Sequence, residues 1–140
     1  MKALGDTYYA ELSSILSNAQ SEDSILSAVV NAPFHDRLIA AKMGLGIVVL
    51  LLVNHGTKTI DRVALSDTDG AKGALRMSVK PFHAIKIPLK SKQNIIAKAI
   101  REQECQQTTN WAPLFVPALT PQEANLNQAG AGIELSLIHI

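Results

Sequence analysis

Residues 82–132 constrain the fold of this chain most, because they combine two different kinds of hydrophobic spacing. Residues 82–89 alternate apolar and polar side chains, as a strand with one buried face does. Residues 91–103 instead place Ile, Ala and Ile at intervals of three and four, which is the period of a helix. A second helix is predicted from Thr120, Pro121 and Glu123, which match a capping box. The stretch therefore predicts a sheet interrupted by short helices.

The first 43 residues predict only helices. Residues 6–20 and 21–32 each carry apolar side chains at helical spacing, and Pro33 is expected to end the second of these helices. A third helix is expected over residues 35–43, ended by Gly44. We expect residues 1–32 to form an N-terminal helical segment and residues 33–140 to form the main domain.

Between these helical regions, the pattern changes to strand. Residues 47–53 are apolar on both faces, which is typical of a central strand. A turn at residues 54–57, with Gly56 able to take a positive φ, leads to a second strand over residues 59–66. The expected fold class is α+β, an antiparallel β-sheet flanked by helices. Residues 47–53 and 82–89 should join one sheet.

Other segments are expected to lack regular structure or to be short. Residues 67–72 predict a polar loop, and residues 106–110 predict a short polar turn. Residues 111–119 hold two prolines and several large apolar side chains, which favours an irregular packed loop. A last strand is expected over residues 132–140.

Composition excludes several function classes. The 140 residues carry 13 basic and 12 acidic side chains, so no basic stripe indicates a nucleic-acid partner. One cysteine permits neither an internal disulfide nor a cysteine-based zinc site. The longest apolar run, residues 44–53, is half the roughly 20 residues that a membrane span needs. We expect a cytoplasmic protein with no membrane partner.

The order of these elements resembles a GAF domain, a sensory relative of the PAS domain, and bacterial members in particular. The resemblance covers residues 33 to the end. It depends on the hairpin at 47–66, KPFHAIKIPL at 80–89, NIIAKAI at 94–100, TTNW at 108–111 and the helix-to-strand passage at 120–132. Two specialised GAF chemistries are not matched, because Cys105 is followed by Gln106 rather than the histidine of bilin-binding members, and the Asn-Lys-Phe-Asp-Glu motif is absent.

This resemblance implies a non-enzymatic sensor of bacterial signal transduction, which binds a small molecule in a cavity under a loop or mediates dimerisation. Such domains usually adjoin a histidine kinase, a diguanylate cyclase or another effector. GAF domains continue with a further strand and a closing helix, so residues 33–140 are expected to be a C-terminally incomplete fragment. Residues 135–140 also resemble the translation of a transposon adapter.

Candidate ligand contacts follow from the same region. Trp111 and Phe115 could wall an apolar pocket, with hydrogen bonds from the preceding polar turn, although both aromatic rings could equally pack the loop onto the sheet. His83 shares a predicted strand face with Ile85 and Ile87, where it could contact a ligand or be a hydrogen-bonded core residue. The candidate ligand-binding residues are Thr108, Thr109, Asn110, Trp111, Phe115 and His83.

No catalytic, metal or cofactor site is predicted. The histidines have no ligand spacing, and no glycine-rich phosphate loop or nucleophile elbow occurs. Two alternatives stay open, a small α+β enzyme and a structural protein-interaction domain. An enzyme should bring several polar groups with shifted pKa values into one pocket, a sensor should have a mostly apolar pocket, and an interaction domain a large apolar patch.

Overall fold

The computed structural model describes residues 6–18 and 21–139. Within those ranges the chain forms seven α-helices, one 3₁₀ turn at Phe82–Ala84 and five strands. The helices are α1 (Asp6–Asn18), α2 (Glu22–His35), α3 (Arg37–Met43), α4 (Asp69–Arg76), α5 (Ile95–Glu102), α6 (Ala112–Phe115) and α7 (Pro121–Ala131). The strands are β1 (Val49–Asn54), β2 (Thr59–Leu65), β3 (Lys86–Pro88), β4 (Gln106–Thr108) and β5 (Ser136–Ile138).

The main sheet is antiparallel, with strand order β1-β2-β3. Val49 lies opposite Leu65, and the β1–β2 register shifts once, between Leu50 and Leu51. Strands β4 and β5 form a separate two-stranded ladder. The predicted α+β class is confirmed, and so is the expectation that residues from 47–53 and from 82–89 share a sheet.

The core lies where this sheet meets the later helices. Ile60 on β2 and Ile87 on β3 are paired across the ladder, and each is 1% exposed. Ala97 of α5, Phe115 of α6 and Ala124 of α7 pack into the same cluster. Fully burying an isoleucine side chain contributes about 1.5–3 kcal/mol, so this paired contact fixes the register of the short β3.

Two helix starts are as predicted. The Thr120 hydroxyl accepts a hydrogen bond from the Glu123 N–H (3.2 Å), and the Glu123 carboxylate accepts one from the Thr120 N–H (3.1 Å). This completes the capping box of α7, and the Thr120 N–H lowers the pKa of the Glu123 carboxyl. At the start of α2, the Ser21 hydroxyl caps the helix by accepting a hydrogen bond from the Ser24 N–H (3.1 Å).

Two local predictions are wrong. Helix α2 continues through Pro33 to His35, because a proline in the last turn removes only one hydrogen bond from a helix held by buried Val30 and Ala32. The division at residue 32 thus falls inside a helix, and the proposed domain boundary stays a prediction. In the β1–β2 turn, Lys58 rather than Gly56 has a positive φ, of 57°.

The segments predicted as loops contain short elements. Residues 67–72 run into α4, and residues 106–119 contain β4 and α6. Residues 82–89 form a 3₁₀ turn before a strand of only three residues, Lys86–Pro88, and the last strand likewise has three. These elements depend on partners far away in the sequence, which local spacing does not reveal.

Helix α4 packs against α7 at a contact between two glycines. A Cβ atom built on Gly73 would meet the carbonyl oxygen of Gly130, and one built on Gly130 would meet the carbonyl oxygen of Gly73. No side chain fits between these backbones, so the helices can come this close only with glycine on both. This contact explains why a glycine-containing polar stretch is helical here.

We predict that Gly130→Ala lowers the free energy of unfolding by about 1–3 kcal/mol, because the added methyl group forces the two backbones apart. Urea unfolding followed by circular dichroism measures the change. Gly56→Ala is the control, since its Cβ would meet only the Asn54 side-chain oxygen, at 3.3 Å. Equal losses in the two variants would contradict the assigned helix contact.

Candidate functional site

A cavity of about 360 Å³ lies between β1, β2, α4 and the residues around α6. Volumes of this order hold small organic ligands. Its walls are mostly apolar and include residues 135–139. Three of the polar side chains that line it, Arg62, Trp111 and Asn127, come from different elements, and the others among the described residues are Ser78, Ser136 and His139. The other lining residues that matter below are Ile47, Leu51, Ala74, Leu114, Phe115 and Ile133.

The wall formed by α6 is held by one buried amide, that of Asn94. Its Oδ1 accepts hydrogen bonds from the N–H groups of Ile96 (2.8 Å) and Ala97 (3.1 Å), which caps α5. Its Nδ2 donates to the carbonyl oxygens of Leu114 (3.0 Å) and Val116 (2.8 Å). Asn94 is 0% exposed, so all four bonds lie in the core.

Asn94 also corrects the predicted start of α5. Helical spacing was expected from residue 91, where Ser91 could act as the cap, but the side chain that accepts the first free N–H groups is that of Asn94, three residues later. An asparagine directly before an apolar run at helical spacing was a usable signal, because asparagine is among the best N-cap residues. Its second role, as a donor to the α6 region, could not be read from local sequence.

A second amide, on Gln128 of α7, fixes the polar turn before α6. Its Oε1 accepts from the Trp111 N–H at 3.0 Å, and its Nε2 donates to the Thr109 carbonyl at 2.8 Å. Within the turn, Thr108 Oγ1 donates to the Asn110 carbonyl (2.8 Å), and Asn110 Oδ1 accepts from the Ala112 N–H (2.9 Å).

The structure therefore places the predicted hydrogen-bonding residues Thr108, Thr109 and Asn110 in a self-bonded turn. The cavity lining, as far as the described residues extend, includes none of the three. Their hydrogen bonds position Trp111 and the first residue of α6, Ala112. Direct ligand contact by these residues stays a prediction.

Trp111 and Phe115 do line the cavity together. Their ring centroids are 5.8 Å apart at an interplanar angle of 49°. Both are also members of the buried core, with exposures of 7% and 3%. The two alternatives from the sequence, pocket wall and core packing, therefore describe the same pair of rings.

His83 is not where the sequence placed it. It lies in the 3₁₀ turn, is exposed, and has its Nδ1 3.1 Å from the Arg62 carbonyl oxygen. The predicted strand face with Ile85 and Ile87 is wrong for this residue, because strand geometry begins only at Lys86. His83 is not among the described residues that line the cavity.

The charged group of the cavity is Arg62, which sequence analysis missed. Arg62 follows Ile60 by two positions on β2, so it shares the face of that buried residue. The register shift at Val63 turns Ala64 to the other face of the strand. Its Cζ atom lies 4.5 Å from the ring centroid of Phe115 and 5.0 Å from that of Phe82. These are cation–π distances.

No carboxylate in the described part of the chain pairs with Arg62. The two ion pairs found there join Lys72 to Asp67 and Lys86 to Asp61. Burial lowers the pKa of Arg62 to about 10, so the guanidinium still carries its charge at neutral pH. The cavity thus contains a cation whose protein partners are aromatic rings.

Two further polar atoms at the cavity have no hydrogen-bond partner among the described residues. They are the indole Nε1 of Trp111, a donor, and the Oδ1 of Asn127, an acceptor. Asn127 is 3% exposed. Buried polar atoms without a partner are uncommon in native proteins, and each calls for a specific explanation.

Other kinds of site find little support in residues 6–18 and 21–139. No group of three or more His, Cys, Asp or Glu side chains there could hold a metal ion. Cys105 is exposed. None of the described helices combines the length and hydropathy that crossing a membrane requires.

Comparison of the chain with models of protein families, with curated proteins and with solved structures found no match. The resemblance to GAF domains therefore remains a prediction from the sequence.

We predict that Asn94→Ala lowers the free energy of unfolding by about 2–5 kcal/mol, because it removes a helix cap and leaves two buried carbonyls without donors. Asn94→Asp should recover part of this loss, since a carboxylate still caps α5 but cannot donate. Gln93→Ala, at an exposed neighbouring position, is the control for urea unfolding. If Asn94→Ala unfolds at the urea concentration of the wild type, Asn94 does not hold the α6 region.

Proposed function

We propose that this chain is a non-enzymatic sensory or regulatory domain that binds a small molecule in the cavity beside α6. The observation that supports this most is the cavity itself, of about 360 Å³, which combines mostly apolar walls with three polar groups. Trp111 Nε1 and Asn127 Oδ1 have no hydrogen-bond partner among the described residues, and Arg62 forms no ion pair there. A mostly apolar pocket with a few convergent polar groups is the usual form of a ligand site.

The polar groups of Arg62, Trp111 and Asn127 favour binding over catalysis, and the histidine that also lines the cavity, His139, lies in the segment that resembles an adapter. Arg62 stays protonated at neutral pH, and neither an indole N–H nor an amide oxygen exchanges protons in that range. A general acid–base enzyme would need groups that titrate near its working pH. These three groups are suited to hydrogen-bonding and charge pairing with a bound molecule.

A route for signalling follows from the elements that form the walls. The ligand would contact α6 and α7 at Trp111, Phe115 and Asn127, and it would contact α4 at Ala74. Helices α4 and α7 meet at the Gly73–Gly130 contact, where neither backbone can move without the other. A ligand that binds one arrangement of these walls better would shift their population and move both helices together.

Dimerisation is a second candidate, because one specific surface favours it. The outer sides of α1 and α2 expose Tyr9 (68%), Leu16 (38%), Ile25 (44%) and Val29 (42%). Grouped exposed apolar side chains on adjacent helices are typical of protein–protein contacts. We propose a homodimer through this surface, as in many signalling modules, with the ligand cavity placed elsewhere.

To test the cavity, we use naphthoate, a carboxylate on two fused aromatic rings, as the probe ligand. We predict that Ala74→Leu weakens naphthoate binding by tenfold or more, because the larger side chain fills the space where the ligand would lie. The chain has one tryptophan, so the Nε1–H signal of Trp111 in a nitrogen-15 NMR spectrum reports directly on the cavity wall. Lys72→Leu, on the exposed side of α4, is the control. Naphthoate binding that is equally strong in both variants would count against this cavity as the site.

To test the dimer, we predict that Leu16→Glu raises the dimer dissociation constant by tenfold or more, since it places a charge in an apolar contact. Sedimentation equilibrium measures the constant. Ser13→Glu adds the same charge at another exposed position of α1 and should change it little. A wild-type chain that is monomeric at every concentration would refute the dimer and leave the cavity proposal intact.

A further inference from the structure

We infer that the ligand of this cavity is a small organic anion, in which a carboxylate or phosphate group joined to an apolar body pairs with Arg62. This inference rests on the proposed function and adds the chemical class of the ligand. Four observations support it.

The first observation is the position of Arg62. The alternation of β2 places it on the same face as the buried Ile60 and opposite Leu51, although Asp61, next to it, faces the other way and pairs with Lys86. A charge on the core face is unfavourable unless it has a partner. In the described part of the chain, no oxygen forms an ion pair with it.

The second observation is what surrounds the guanidinium. Phe115 and Phe82 lie within 4.5 Å and 5.0 Å of its Cζ atom. Ring faces stabilise the positive charge but offer no oxygen to its five N–H donors. A carboxylate or phosphate accepts two parallel N–H bonds from a guanidinium, so an arginine fixed between two rings is ready to bind such a group.

The third observation is the apolar remainder of the cavity. Ile47, Leu51, Leu114 and Ile133 line it, and they would contact carbon rather than oxygen. A bare inorganic anion would leave this surface unfilled. The volume of about 360 Å³ has room for an apolar body the size of a fused pair of rings beside the anionic group.

The fourth observation is the pair of buried atoms without partners. Asn127 Oδ1 would accept a hydrogen bond from a hydroxyl or amine on the ligand, and Trp111 Nε1 would donate to a ligand oxygen. Trp111 lies against Phe115, which in turn lies against Arg62, so one molecule can meet all these groups. Arg62, Trp111 and Asn127 precede residue 135, whereas residues 135–139, in the segment that resembles an adapter, also line the cavity.

The test compares two probes of nearly the same shape, the anionic naphthoate and the neutral naphthamide, by isothermal titration calorimetry on the full chain. We expect the wild type to prefer naphthoate by about tenfold to a hundredfold, which is the range for charge-assisted hydrogen bonds. Arg62→Met should abolish this preference and leave naphthamide binding unchanged. Arg62→Lys should keep a smaller preference, because lysine retains the charge without the paired donors.

Two measurements separate a binding role from a structural one. Arg62→Met should unfold at a urea concentration equal to or above that of the wild type, because it removes an unpaired charge from an apolar face. Arg76→Met, at an exposed arginine of α4, should leave both probes unaffected. If Arg62→Met fails to fold, the inference is tested by Arg62→Lys, in which the preference for naphthoate over naphthamide should be smaller than in the wild type.

The outcomes distinguish this inference from the proposed function. Equal binding of the two probes to the wild type, unchanged in Arg62→Lys, would overturn the inference that the ligand is an anion. It would keep the cavity as a ligand site. Absence of binding by either probe at millimolar concentration, with the Trp111 Nε1–H signal unmoved, would overturn both. Selective naphthoate binding that Arg62→Met preserves would show that Arg62 is not the anion's partner.

Discussion

Arg62 is the residue on which the account of this molecule depends, because it places a positive charge on the core face of the central strand. Two aromatic rings hold the guanidinium at cation–π distance, and no carboxylate of the described chain reaches it. A fold selected for stability alone would have a hydrophobic side chain there, packed beside Ile60 and Leu51. An open cavity around an unpaired cation is more easily explained if something outside the chain completes it.

The walls around this cation are fixed by side-chain amides as much as by hydrophobic packing. Asn94 joins the start of α5 to the carbonyls around α6, and Gln128 joins α7 to the turn before Trp111. Both amides bond to backbone groups of neighbouring segments, so the short helix α6 has a defined position although four residues alone would not form a stable helix. The aromatic rings it carries are therefore presented in a fixed orientation to the cavity.

Local sequence signals predicted the parts of the fold that local physics determines. The capping box at Thr120, the cap at Ser21 and the strand pairing of β1 with β2 all follow from neighbouring residues. Helix α4 does not, because it depends on the contact of Gly73 with Gly130 on another helix. His83 was misplaced because alternation from Phe82 to Leu89 continues through residues that in fact form a 3₁₀ turn.

The sequence predicted part of the candidate site. Trp111 and Phe115 were identified because they are aromatic residues that follow a polar turn, whereas Arg62 looks like an ordinary polar residue of an exposed strand face. A usable signal existed, since Asp61 and Arg62 are adjacent on a strand and must point to opposite faces. One charge therefore had to face the core, and Arg62 has the parity of the buried Ile60.

The most direct test of the central claim is the NMR signal of the Arg62 side-chain Nε–Hε group, recorded with and without naphthoate. We expect that, in the free chain, the rings of Phe82 and Phe115 displace this signal and that its proton exchanges slowly with water. The signal should move again when the carboxylate binds. A signal at the position of solvent-exposed arginines, unchanged at saturating naphthoate, would contradict the claim.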